Sequence, residues 1–121
     1  MTATISIAPP NSLLVIADVG GGRPPPFDPE RQISSTGSCI TVRCLTFADG
    51  ETTVTLGEAA AVVTDQLPAF DGNLETPSGR LAVRTVEGAT ILEMKVGVPR
   101  TRVRVWTNRA IEPDAVVIGI G

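Results

Sequence analysis

The stretch RLAVRTVEGATILEMKVGVPRTRVRVWTN, residues 80–108, reads as three short β-strands in succession. Leu81 and Val83 alternate with Arg80 and Arg84, the period of two that sends neighbouring side chains to opposite faces of a sheet. Glu87-Gly88 supplies a turn, after which Leu92, Met94 and Val96 share one face. Pro99 punctuates before the third run. There Val103 and Val105 point to a core, and Arg100, Arg102 and Arg104 point to solvent.

The same reading extends outward. SCITVRCLTF, residues 38–47, forms a strand, and Asp49-Gly50 joins it to TTVTL, residues 52–56, as a hairpin. Short apolar runs at 3–7 and 12–18 and the segment DAVVIGIG, residues 114–121, add strands at either side. GEAAAVVTDQL, residues 57–67, admits either a turn or two of helix or another strand over Ala59–Val63, with the strand favoured. GGGRPPPFDPE (20–30) and PAFDGNLETPSG (68–79) read as long loops. The expectation is an all-β fold: one antiparallel β-sandwich or open barrel of seven to nine short strands, spanning residues 1–121 as a single domain.

Composition narrows the chemistry. A chain of 121 residues, 42% hydrophobic, can bury a core without a metal or a disulfide. There is no His, so the commonest general base and metal ligand are missing. Gly20-Gly21-Gly22 is followed by Arg-Pro-Pro-Pro and not by Gly-Lys-Ser/Thr, so it is no phosphate loop. No Cys/His pairing suggests zinc, and no cofactor is implied. Cys39 and Cys44, five residues apart along a strand, would sit about 16 Å from one another, too far for a disulfide. They read as free thiols of a reducing compartment. No apolar run is long enough to span a membrane. The first residues lack a basic region, and Pro9-Pro10 interrupts them, so the expected location is the cytoplasm.

Charge is uneven. Residues 1–79 carry three Arg and nine acids, net −6, whereas residues 80–121 carry seven Lys or Arg and four acids, net +3. If the strands around 80–84 and 100–104 are neighbours, Arg80, Arg84, Arg100, Arg102 and Arg104 make one arginine face that Trp106 continues, with Glu93 and Glu51 set to neutralise part of it. Such a face is either a solvated outer surface that discourages edge pairing or a recognition surface. Phe27-Asp28 and Phe70-Asp71 each place an aromatic before an acid in a Pro-containing loop. They read either as plugs of the core or as exposed apolar anchors. The first two-thirds of the chain, acidic overall, suits a basic protein partner. Nucleic acid fits poorly, since the net charge is −3 and only 3% of residues are aromatic. Two rivals stand beside protein binding. Asp28, Glu30, Asp65, Asp71 and Glu75 would hold calcium, or another small ligand, if the two loops converge. Strand edges or the arginine face would instead support a homo-oligomer.

The order of these elements resembles the competence J family of small bacterial nuclease inhibitors. The resemblance rests on an early strand (SLLVIAD) before a Pro-rich loop with aromatic-Asp (PPPFDP), a strand after Gly-Ser (GSCITVRC), then RLAVRTVEGATILEM, VGVPRTRVRVWTN and a final apolar strand. It implies a non-enzymatic inhibitor or immunity-type protein that covers a nuclease's basic cleft. The matching positions most directly concerned are Phe27, Asp28, Trp106 and Thr107; where the family has Asp-Trp-Thr after the early loop, this chain has Asp28-Pro29-Glu30.

Overall fold

A computed structural model describes residues 2–62 and 65–121. Among them, ten strands and one helical turn follow in the order β1 (Thr2–Ile7), β2 (Leu13–Asp18), β3 (Ile33–Ser35), β4 (Cys39–Arg43), β5 (Thr52–Glu58), α1 (Ala59–Val62), β6 (Phe70–Glu75), β7 (Arg80–Thr85), β8 (Thr90–Lys95), β9 (Arg100–Thr107) and β10 (Ala115–Ile120). They build two five-stranded sheets, β1-β5-β10-β9-β6 and β3-β4-β2-β7-β8. The sandwich form is therefore the one adopted, with ten strands where seven to nine were expected, because the short edge strands β3 and β6 lie in segments that read as loop or went unread.

The alternation read from the sequence sets the core. Leu14 and Ile16 of β2, Ile40 and Val42 of β4, and Leu81 and Val83 of β7 bury against Val54 and Leu56 of β5, Val103 and Val105 of β9, and Val116 and Ile118 of β10. Burying each such side chain stabilises the fold by about 1.5–3 kcal/mol. The β7–β8 hairpin turns through Gly88, whose φ of 90° is costly for a residue with a Cβ.

Several expectations need correction. Asp49-Gly50 closes no hairpin: β4 ends at Arg43 and β5 belongs to the other sheet, so the residues between them cross from one sheet to the other. All pairings among the described strands are antiparallel except one, β5 with β10, which run parallel. Residues 59–62 form a helical turn where a strand was favoured. This turn lies over β10, and a Cβ placed on Gly119 would come 3.2 Å from the Cα of Ala59, so only small residues allow the approach. Val63, the last residue of that expected strand, lies outside the described residues. Residues 70–75, read as loop, are the edge strand β6. Their Asp, Gly and Asn obscure the pattern, and Leu74 alone is fully buried. An edge strand tolerates this composition because only one side must pair and charge there blocks further pairing.

The arginine face divides. β7 and β9 belong to different sheets, so Arg80 and Arg84 lie on one outer face and Arg100, Arg102 and Arg104 on the other. Period-two counting fixes which side of a sheet a residue faces, not which sheet its strand joins. Glu93 does neutralise Arg80, at 2.8 Å. Glu51 lies instead before β5, at the end of the sandwich away from Arg100.

Candidate functional site

β1, β4, β7 and β9 finish, and β2, β5, β8 and β10 begin, at one end of the sandwich, hereafter the upper end. Its connections are tied to one another. Cys44 N–H donates to Ser12 O at 2.8 Å and Leu45 N–H to Pro113 O at 2.9 Å. The Gln32 amide donates to Arg109 O and Ala110 O at 2.7 and 2.8 Å, and the Thr107 hydroxyl donates to Gln32 Oε1 at 2.9 Å.

The Pro-rich segment reaches this end as a strap. It leaves β2 at the lower end, where Arg23 N–H donates to the Ser38 hydroxyl at 2.8 Å. It then crosses the outer face of the second sheet to enter β3 from above. Arg43 clasps it by donating to Pro29 O, and its guanidinium lies 5.7 Å from the centre of the Phe27 ring. Prolines 24–26 donate no backbone N–H, so the strap cannot pair as a strand.

Of the large apolar side chains exposed here, Phe27 at 73%, Phe47 at 69% and Ile111 at 78% stand out furthest, ahead of Val86. Phe27 and Ile111 border a cleft of about 430 Å³ together with Thr46, the residue before Phe47. Exposed Glu30, Asp49, Glu51, Glu87 and Glu112 surround this end, and none makes an ion pair among the described residues. The described residues other than glycine with positive φ are Asn11 at 57°, Ser12 at 58° and Glu112 at 48°, and all three line the same cleft. Backbone held in that region costs of order 1–3 kcal/mol per residue and clusters where a surface has work to do.

The residues singled out from the sequence separate accordingly. Phe27 is exposed, and Glu30 is a carboxylate of the upper end without an ion pair among the described residues. Asp28 is half-buried, 3.6 Å from Arg31, and it accepts from Glu30 N–H at 2.9 Å. Phe70 is no loop anchor, because it packs half-buried against the core from β6. It and Phe27 do border one further cleft, on the flank of the molecule. Asp71 is held bidentately by Arg102 at 2.9 and 2.7 Å. The hydrogen bond from Arg102 outweighs desolvation and keeps the Asp71 carboxyl below its ordinary range. Arg104 donates to Gly121 O at 2.7 Å and lies 5.9 Å from the Trp106 ring.

Trp106 faces the arginine side as counted, yet it is buried beside α1, with its indole N–H donating to Gln66 O at 3.0 Å. Trp106 and Thr107 are therefore structural ties, and Arg100 lies exposed at the lower end opposite Glu75. The five carboxylates considered for calcium do not converge. Asp28 and Asp71 face arginines, and among the described residues no three metal-ligating side chains gather. Phe47, Ile111 and the rim acids other than Glu30 escaped the sequence reading. The available signal was an aromatic beside the Asp49-Gly50 turn and an Ile stranded among Asn108, Arg109, Glu112 and Pro113.

No family model matches the sequence, and no curated protein matches it by sequence. Solved structures do match in fold. A crystal structure described as ComJ, inhibitor of the DNA degrading activity of NucA, from Bacillus subtilis, superposes with a TM-score of 0.69 over 98% of this chain and 93% of that one, at 8% identity. A protein described as crocagin biosynthetic gene J matches with a TM-score of 0.51 over 98% and 94%, at 12% identity. The likeness to the competence J proteins, first read from the order of strands and loops, thus extends to the fold of nearly the whole chain.

Proposed function

We propose that this chain is a non-enzymatic protein-binding module, an inhibitor or immunity-type protein whose upper end covers a basic partner such as a nuclease. The observation that carries this reading is the exposed set Phe27, Phe47 and Ile111 at an end that also carries five carboxylates without ion pairs among the described residues. Apolar anchors that leave water on docking supply affinity, and the surrounding charge raises the on-rate and selects the partner. The fold shared with ComJ supports an inhibitor over an enzyme. Action in the cytoplasm, beside a bacterial nuclease, belongs to the same reading.

The test is DNA degradation by extracts of the source cells, with purified protein added. The native chain is expected to slow degradation and to co-purify with a basic protein in a salt-sensitive complex. Phe27→Ala should weaken that complex by about 2 kcal/mol, some 30-fold. Undiminished degradation, or capture that Phe27→Ala and high salt leave unchanged, removes the proposal.

A further inference from the structure

Beneath the strap lies a groove of about 290 Å³, distinct from the upper cleft although Phe27 and Arg43 border both. Its floor is Leu13 and Val15, side chains of β2 on the face of the sheet turned away from the core. Pro24, Pro25 and Phe27 overhang it. Three guanidinium groups line it, those of Arg31, Arg43 and Arg84, against one carboxylate, Asp28. In a chain of net charge −3 this is a local reversal of sign.

The pairing inside the groove leaves the charge unspent. Arg31 faces Asp28 at 3.6 Å. Arg43 and Arg84, both half-buried, have no carboxylate within ion-pair distance among the described residues. Neutral acceptors orient them instead: Pro29 O for Arg43, and Val19 O at 2.6 Å and the Thr90 hydroxyl at 3.3 Å for Arg84. Asp18 offsets the Arg84 charge only from beyond ion-pair distance, and Arg43 has no carboxylate against it among the described residues. A guanidinium so placed and partly withdrawn from water is costly, and an incoming anion recovers that cost. Arg is suited to this because its fork of donors matches a carboxylate.

We propose that the groove binds a small molecule with an apolar body and one carboxylate. Its volume sits at the small end of the roughly 300–1,000 Å³ typical of small-molecule sites, which favours such a ligand over a segment of a folded partner. The apolar body would lie on Leu13 and Val15 under the prolines, and the carboxylate would meet Arg43 and Arg84. The strap has no free donors in its proline run and is stiff, so the groove is already formed before a ligand arrives. This assignment does not depend on the upper end binding a protein.

Calorimetric titration of the full chain with 4-phenylbutyrate, and with its uncharged amide, tests it. One acid per chain is expected, with the amide about tenfold weaker or worse. Arg43→Gln and Arg84→Gln should each weaken the acid by about tenfold, while Arg84→Lys, which keeps the charge but not the fork of donors, should fall between the native chain and Arg84→Gln. Equal binding of acid and amide, binding unchanged in both glutamine variants, or none at millimolar concentration would overturn the proposal. If a glutamine variant melts early, the native protein still decides: the acid must shift the methyl resonances of Leu13 and Val15, and shifts only elsewhere refute the site. Loss of nuclease inhibition with intact 4-phenylbutyrate binding, or the reverse, tells the two readings apart.

Discussion

Asp18 is 1% exposed, yet it stays easily ionised. Burial alone would raise its affinity for a proton. The Ser78 hydroxyl, the backbone N–H groups of Gly20 and Ser78 at 2.8 and 2.9 Å, and the more distant Arg84 charge together pull it below the ordinary 3.8. The carboxylate thus clamps the start of the strap to the turn before β7. A carboxyl depressed in the folded state contributes stability that is complete above its unfolded value and fades as pH falls through the folded one. That contribution should therefore decline below about pH 3.8. Asp18→Ala leaves buried N–H groups unmet and should cost about 1–3 kcal/mol, read as a lower urea midpoint whose acid branch is flattened. Cys44, whose thiol burial pushes up to about 12, behaves oppositely. It should resist alkylation in the native chain and react only on unfolding, as a timed thiol assay would show.

At the scale of elements, α1 and Gly119 explain why Trp106 is hidden. A Cβ on Gly119 would come within 2.8 Å of the indole and 3.2 Å of α1. Gly119→Ala should therefore destabilise the fold by about 1–3 kcal/mol and shift Trp106 fluorescence to the red as its cover lifts. Nothing in the run GEAAAVV announces this, because a short Ala-rich segment satisfies helix and strand patterns alike. Strands β7, β8 and β9 were legible because each buries one face and wets the other. β6 was not, since an edge strand with Asp71, Asn73 and Glu75 outward looks like a turn. The same limit applies to the site. Phe27 was legible as an aromatic held in a proline loop. Phe47 and Ile111 were not, because only the meeting of separate loops decides whether an apolar residue there is covered.

On the scale of the whole molecule, charge and topology run along different axes. Free carboxylates crowd the upper end, whereas β9 presents Arg100 and Arg102 at the other end and on the outer face. β10 occupies the middle of the first sheet, parallel to β5 and antiparallel to β9. Val116 and Ile118 are fully buried there. A chain stopped at Asp114 is expected to show no cooperative melt and to be cut by protease throughout, because β5 and β9 then have no strand between them. This arrangement also sets a clock on biosynthesis. While the ribosome is still translating the region before residue 115, the first sheet has no centre, and its apolar edges are open to chaperones and to neighbouring nascent chains. β10 acts as the keystone, so the first sheet closes only once residues 115–120 are available and not progressively from its first strand.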